Sequence, residues 1–165
     1  MLNQSKNIIF GLAVAGILVA GVILLSRGGN TLGTKTNPSA KITASEQHYD
    51  FGRVSMAAGK VNHAFSVKNI SLEPVTLGTL YTSCMCTEAF FLKGGERQGP
   101  FGMPGHGLSP KKLNIVLAGG EEAVIEAVFD PAAHGPAGVG PIERSVILES
   151  DEGVLELHIS AEVTP

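Results

Sequence analysis

The sequence has little cysteine: two residues among 165, and only one residue separates them. They are Cys84 and Cys86, with Met85 between them, in the stretch SCMCTEAFF from Ser83 to Phe91. The spacing alone leaves three interpretations open. The pair forms a disulfide, binds a metal ion, or consists of two small side chains buried in a core.

Motifs of the common enzyme classes are also missing. The sequence contains no Gly-x-Ser-x-Gly elbow, no phosphate-binding loop and no His-Glu-x-x-His. Its acidic residues are scattered, and no pair of them suggests an acid and a base with separated pKa values. A cysteine nucleophile with His106 as its base is the one enzymatic alternative. We therefore predict that the protein is not an enzyme.

Basic residues are scarce beyond the amino-terminal quarter. Four of them occur up to Lys41 with no acidic residue among them, which leaves eight basic and 15 acidic residues in 42–165. An acidic domain without a basic stripe argues against a nucleic-acid partner. It also argues against electrostatic docking on anionic lipids. We expect no nucleic acid as a partner.

A long apolar run near the amino terminus predicts a membrane anchor. Ile8 to Leu25 is a run of 18 residues without a polar side chain, long enough as a helix to reach about 27 Å, close to the thickness of a bilayer core. The alternative is a cleaved secretory signal, but Leu24-Leu25-Ser26-Arg27 is a poor cleavage site. No cysteine follows the run as in a lipoprotein. We predict one transmembrane helix within residues 1–26.

The orientation of that anchor is suggested by its short leading tail. Lys6 precedes the apolar run and Arg27 and Lys35 follow it, so the positive-inside rule is nearly balanced. A six-residue tail is typical of a signal anchor whose carboxy-terminal part is outside. Residues 27–41 are rich in Gly, Thr, Asn and Pro and predict a flexible linker. We expect a single-pass protein of the cell membrane with its main domain extracytoplasmic.

Residues 42–165 carry the alternating pattern of β-strands. Apolar side chains recur at every second position, with many β-branched residues and with turn signals between the segments. The alternating segments are Lys60–Lys68, Val75–Tyr81, Lys112–Leu117, Ala123–Phe129, Arg144–Glu149 and Val154–Val163. We predict an all-β, immunoglobulin-like β-sandwich over residues 42–165, preceded by the transmembrane helix. Gly94–Pro110 and Pro131–Pro141, rich in Gly and Pro, are predicted to be long loops.

Three sequence stretches resemble a known bacterial family. YDFGRV (Tyr49–Val54), VNHAFSVKNIS (Val61–Ser71) and SCMCTEA (Ser83–Ala89) are similar to domain of unknown function 1573. The resemblance implies an exported, immunoglobulin-like domain, related in shape to ASH and Hydin-type domains, and it implies no activity. The sequence departs from the family at Met85, where Gly is common, and in Gly94–Pro110, which resembles an insertion.

The geometry of the cysteine pair depends on its local conformation. In an extended strand Cys84 and Cys86 would present both sulfurs on one face. Their Cα atoms would then be about 6.5–7 Å apart, at the edge of disulfide geometry, so a disulfide requires a local bend. Two thiolates on one metal ion require sulfurs nearer roughly 4 Å apart.

Additional ligands are available in the two predicted loops. Gly94–Pro110 offers Met103 and His106, and Pro131–Pro141 offers His134. If Lys112–Leu117 and Ala123–Phe129 pair as a hairpin, both loops lie at one end of the sandwich. If Cys84 and Cys86 end the strand Val75–Ser83 at this same end, the predicted site combines the two cysteines with these three residues.

This ligand set favours a soft metal ion. Two thiolates with a thioether and imidazoles suit Cu(I), and the set without Met103 suits Zn(II) as a second choice. We predict a membrane-anchored metal-binding domain that handles copper, with an envelope protein as a partner. The alternative is a non-catalytic interaction module of the cell envelope with a structural or redox Cys-x-Cys. In that case Phe101 and Met103 are exposed anchors in a recognition loop.

Overall fold

A computed structural model describes residues 41–105 and 112–165 of the chain. The predicted membrane helix in residues 1–26, the linker 27–41 except for Lys41, and His106 lie outside the described residues. Within the described ranges no helix is long and apolar enough to cross a membrane.

Ten β-strands make up most of this described part. They are β1 (Ile42–Ala44), β2 (His48–Ser55), β3 (Val61–Asn69), β4 (Val75–Thr82), β5 (Thr87–Lys93), β6 (Glu96–Phe101), β7 (Lys112–Leu117), β8 (Glu122–Phe129), β9 (Gly140–Ser150) and β10 (Gly153–Thr164). Short 3-10 helices span Met56–Ala58 and Gly135–Gly138. One five-stranded sheet has the order β1-β3-β8-β5-β6, and the other has the order β2-β10-β9-β4-β7.

The two sheets enclose one hydrophobic core. Alternation puts every second side chain of a strand on the inner face, and the buried cluster draws on both sheets. Its largest fully buried members are Phe65, Phe91, Leu77, Leu80, Leu117, Ile125, Leu148, Leu157 and Ile159. Burial of each stabilises the fold by about 1.5–3 kcal/mol. The prediction of an all-β sandwich is confirmed; the immunoglobulin-like assignment within that class stays a prediction.

The inner face of β4 does not follow the simple alternation that the sequence suggests. Val75 and Leu77 are buried, as predicted. Thr79 and Tyr81 should share their face, but both are only partly buried, and Leu80 is buried instead. The prediction of one continuous face from Val75 to Tyr81 is therefore wrong.

A bulge at Gly78 explains the switch. The register of β4 against β9 shifts between Leu77 and Leu80, and an extra residue in a strand moves all later side chains to the opposite face. A Cβ on Gly78 would lie 3.3 Å from the carbonyl oxygen of Glu149, a tight approach that favours glycine. The bulge puts Thr82 inside, two residues before Cys84.

Part of the predicted loop Gly94–Pro110 is a strand, β6 (Glu96–Phe101). Lys93 pairs with Glu96 in a hairpin between β5 and β6, closed by Gly94 and Gly95. Both glycines have positive φ, 60° and 86°, as a type I′ turn requires. The loop prediction is wrong for this segment because Gly94 and Gly95 form a hairpin turn between two paired strands.

The predicted hairpin between β7 and β8 is also wrong. β7 pairs with β4 in one sheet, whereas β8 pairs with β3 and β5 in the other. Residues 118–121 therefore carry the chain from one sheet to the other. Alternating burial cannot distinguish the two cases, since facing strands of opposite sheets bury alternate residues just as neighbouring strands do.

The side chain of Asn69 links two connections that change sheet, one between β3 and β4 and one between β7 and β8. Its fully buried side chain donates from Nδ2 to the carbonyl oxygens of Glu73 (2.8 Å) and Leu117 (3.0 Å). Its Oδ1 accepts from the backbone N–H (3.0 Å) and the hydroxyl (2.7 Å) of Ser71. One side chain thus supplies hydrogen-bond partners to backbone groups of both connections.

We expect Asn69→Ala to lower the free energy of unfolding by about 2–3 kcal/mol, because buried carbonyl groups would lose their donor. Urea denaturation measures the effect. Asn62→Ala, on the same strand but exposed, is the control, with an expected loss below about 1 kcal/mol. Equal losses in the two variants would contradict the structural role of Asn69.

Candidate functional site

The two cysteines lie in a tight turn that leads from β4 in one sheet to β5 in the other. They form a disulfide, with their Cα atoms 5.2 Å apart. The N–H of Thr87 donates to the carbonyl oxygen of Cys84 over 3.1 Å and closes the turn. This turn supplies the bend that a disulfide requires. Cys84 and Cys86 are therefore not in an extended strand.

Hydrogen bonds from both sides hold the turn in place. The hydroxyl of the buried Thr82 lies 3.0 Å from the carbonyl oxygen of Cys84 and 2.9 Å from that of Thr87. The N–H of Ser83 donates to the carbonyl oxygen of Ser145 (2.9 Å), and the N–H of Ser145 donates to the Ser83 hydroxyl (2.8 Å). The turn is thus anchored to strand β9 as well as to its own ends.

The two sulfurs differ in their access to solvent. Cys84 is 9% exposed and Cys86 is 2% exposed, whereas Met85 between them is 53% exposed. The backbone N–H of Cys86 donates to Cys84 Sγ over 3.2 Å. The turn therefore directs both sulfurs inward and the methionine outward.

Each sulfur also has a side chain beside it that can carry positive charge. His134 Nε2 lies 3.3 Å from Cys84 Sγ. Arg144 donates from Nε to Cys86 Sγ over 3.3 Å, and the hydroxyl of Thr87 lies 3.8 Å from the same sulfur. These groups would stabilise negative charge on either sulfur.

The loop after β8 delivers His134 to the cysteines. The N–H of Asp130 donates to the carbonyl oxygen of Cys86 over 2.9 Å and ties the start of this loop to the turn. The Asp130 carboxylate accepts from the N–H of Ala132 (2.9 Å) and shapes the loop. His134 then precedes the 3-10 helix Gly135–Gly138 but makes no side-chain capping bond. Its imidazole is directed at Cys84 instead.

A cavity of about 500 Å³ opens onto the turn. Its lining residues are Ser83, Cys84, Met85, Met103, His134, Glu143 and Arg144. The cavity contains two of the residues predicted from the loops, Met103 and His134, next to the more exposed cysteine.

The structure thus brings most of the predicted ligand set together. The ligand atoms of Cys84, Cys86 and His134 lie within 4.8 Å of one another. Met103 lines the same cavity, and His106 falls outside the described residues. Disulfide-bonded sulfurs are not thiolates, so this arrangement can hold a metal ion only after reduction. Side-chain rotation would then separate the sulfurs toward the roughly 4 Å that a shared metal ion requires.

Two residues at this end of the sandwich differ from the sequence interpretation. Phe101 is an exposed anchor in the alternative interpretation as an interaction module, but it is 4% exposed and belongs to the core, so that part of the alternative is wrong. Arg144 was not predicted as a site residue. It lies within an ordinary alternating strand, and only the pairing of β9 with β4 places it beside Cys86.

Comparison with protein families gives one match. The sequence model of a family described as "Protein of unknown function (DUF1573)" matches residues 42–99, a segment that contains the cysteine turn. The comparison with curated proteins gives no significant match.

Solved structures resemble the chain in fold. A protein of unknown function from Porphyromonas gingivalis W83 has a TM-score of 0.53 at 12% identity, covering 79% of this chain and 51% of that one. A family 123 glycoside hydrolase from Clostridium perfringens has a TM-score of 0.50 at 11% identity, covering 71% of this chain and 22% of that one. The chain thus spans about half of the first protein and under a quarter of the second. At these identities the likeness concerns the fold alone.

Proposed function

We propose that the cysteine turn binds a soft metal ion when it is reduced. Residues 42–99 of the chain, which contain this turn, belong to the DUF1573 family of proteins of unknown function. The observation that carries the proposal is the grouping of the Cys84, Cys86 and His134 ligand atoms within 4.8 Å. Cu(I) is the favoured ion, and Zn(II) is the second choice.

The chemistry of the donors supports this preference. Two thiolates and an imidazole suit ions that prefer sulfur and nitrogen. The thioether of Met103 on the cavity wall favours Cu(I), which accepts thioether ligands, over Zn(II). His106, predicted from the sequence, remains a candidate for a second imidazole.

The disulfide makes metal binding dependent on oxidation state. In the oxidised turn the sulfur lone pairs belong to a neutral disulfide, which is a poor ligand compared with thiolates. A two-electron reduction creates two thiolates beside His134 and Arg144. We therefore propose that the site binds metal in its reduced form and releases it on oxidation.

The position of the site in the domain supports a role in delivery. The carbonyl oxygen of Lys41 accepts from the N–H of Ile70 (2.8 Å), at the end of β3. Phe129, which precedes the His134 loop, pairs with Val61 at the start of that strand. The metal site and Lys41, the first described residue of the domain, thus lie at opposite ends of the sandwich. In a protein anchored to the cell membrane, with its domain extracytoplasmic, this leaves the site accessible to an envelope partner. The role is non-catalytic and involves no nucleic acid.

A titration of the full chain tests the proposal. The protein, reduced with a phosphine and kept anaerobic, should withdraw one equivalent of Cu(I) from a chromophoric chelator. The oxidised protein should withdraw none, because its sulfurs remain in the disulfide. The chelator's absorbance gives the stoichiometry and the affinity.

The control is the Cys84→Ser and Cys86→Ser double variant, treated identically. It should leave all the Cu(I) on the chelator in both redox conditions. Equal binding by reduced and oxidised protein, or full binding by the double variant, would show that the cysteine turn is not the site.

A further inference from the structure

We propose that the disulfide of the cysteine turn exchanges with external dithiols, with Cys84 forming the mixed disulfide and Cys86 acting as the leaving thiolate. This activity goes beyond metal binding and does not depend on it. It follows from the unequal surroundings of the two sulfurs.

Access selects the sulfur that is attacked. Cys84 lines the cavity of about 500 Å³, whereas Cys86 is 2% exposed and is not part of the cavity wall. An attacking thiolate approaches one sulfur of a disulfide and displaces the other. A thiolate that enters the cavity therefore reaches Cys84 Sγ and displaces Cys86.

Charge selects the sulfur that leaves. Arg144 donates to Cys86 Sγ from Nε at 3.3 Å, and the Thr87 hydroxyl lies 3.8 Å from that sulfur. A fixed guanidinium stabilises the thiolate that develops there as the S–S bond breaks. A better stabilised leaving thiolate leaves faster. Both the burial and the charge thus assign the leaving role to Cys86.

The imidazole of His134 completes the arrangement on the other sulfur. Its Nε2 lies 3.3 Å from Cys84 Sγ, on the cavity side of the turn. In the second half of the reaction Cys84 is itself displaced as a thiolate. An imidazole at this distance can donate a hydrogen bond to that thiolate.

The full reaction transfers two electrons from the dithiol to the protein. One thiolate of the donor attacks Cys84 Sγ, the bond between Cys84 and Cys86 breaks, and its electron pair goes to Cys86 Sγ. The donor's second thiolate then attacks the donor sulfur of the mixed disulfide. This step displaces Cys84 as a thiolate and releases the donor as a cyclic disulfide. The two protons of the donor thiols end on the protein's sulfurs or in solvent.

The first test is the rate at which dithiothreitol reduces the oxidised full chain in the presence of a metal chelator. Arg144→Gln should slow reduction at least tenfold, because the leaving thiolate loses its positive neighbour. Arg144→Lys should recover most of the rate. Arg53→Gln, an exposed arginine on β2 that is not part of the cavity wall, should react like the unmodified protein. Alkylation of the new thiols followed by mass spectrometry measures the rate.

The second test compares the two sulfurs directly. Cys86→Ser leaves Cys84 as the single thiol, and Cys84→Ser leaves Cys86. With 5,5′-dithiobis(2-nitrobenzoate) as the disulfide probe, lone Cys84 should react at least tenfold faster than lone Cys86. In urea, where the fold is lost, the two rates should converge, which separates the effect of structure from that of local sequence.

An unchanged reduction rate in Arg144→Gln, or a lone Cys86 that reacts as fast as lone Cys84, would overturn the assignment of roles. If Arg144→Gln does not fold, the comparison of the single-cysteine variants decides. Because the reduction assay contains a chelator and the single-cysteine assay uses no added metal, a failure of thiol exchange is distinguishable from a failure of metal binding.

Discussion

Replacing Cys86 with serine is expected to lower the Cu(I) affinity of the reduced protein by more than about 100-fold. Loss of a residue that hydrogen-bonds a metal ligand lowers the metal affinity by about 10–100-fold, and loss of a direct thiolate ligand lowers it further. The remaining donors, Cys84 and His134, would hold the ion with one thiolate instead of two. Competition with a chromophoric chelator under anaerobic conditions measures the change.

Histidine variants provide the matched comparison for this result. His134→Ala should lower the affinity at least tenfold, because it removes the imidazole that lies 3.3 Å from Cys84 Sγ. His48→Ala, an exposed histidine on β2 that is not part of the cavity wall, should leave it unchanged. Equal effects of the two histidine variants, or an unaltered affinity in Cys86→Ser, would be incompatible with a site at the cysteine turn.

Replacing Phe101 with alanine is expected to destabilise the protein by about 3–5 kcal/mol, a large part of the stability of an ordinary domain. Phe101 is 4% exposed and packs in the core cluster at the end of β6. Removing its ring leaves a cavity that the rigid ends of two sheets can fill only in part. Urea or thermal unfolding measures the loss.

Leu72→Ala is the control for this prediction. Leu72 is 96% exposed in the connection between β3 and β4, so its truncation should change the free energy of unfolding by less than about 0.5 kcal/mol. A change below about 1 kcal/mol in Phe101→Ala would contradict the role of its ring in the core.

The class of fold is predictable from the sequence because alternation is a local property. Along β8 every second residue from Ala123 to Phe129 is buried, as the apolar pattern indicates. The same alternation does not determine which strands are neighbours. β7 and β8 follow each other in sequence and alternate equally well, yet they belong to different sheets. Neighbour choice depends on long-range packing that a single sequence does not display.

Some of the missed features had a signal in the sequence and others had none. Gly94-Gly95 between two runs of strand-forming residues is a hairpin signal, and its positive φ angles confirm it. Gly78 inside a strand pattern signals a bulge. Arg144 has no comparable signal, since its role depends on the sheet order that places it beside Cys86.

The sequence predicts the candidate site in part, although the β7–β8 hairpin that it predicts does not form. Met103 and His134 do line one cavity with Cys84, but no β7–β8 hairpin brings them there. The N–H of Thr82 instead donates to the carbonyl oxygen of Gly102 over 3.4 Å, which ties the chain after β6 to the end of β4. The N–H of Asp130 anchors the other loop to the cysteine turn. Both loops are held at this end by backbone bonds that side-chain patterns do not show.

The most direct test of the central claim is the X-ray absorption spectrum of the reduced full chain loaded with one equivalent of Cu(I). If the cysteine turn is a soft-metal site, the ion has at least two sulfur neighbours at about 2.3 Å and a nitrogen neighbour at about 2.0–2.1 Å. The sulfur contribution should fall when Cys84 is replaced by serine. A spectrum with only nitrogen and oxygen neighbours, or one that the Cys84→Ser variant reproduces, would contradict the claim.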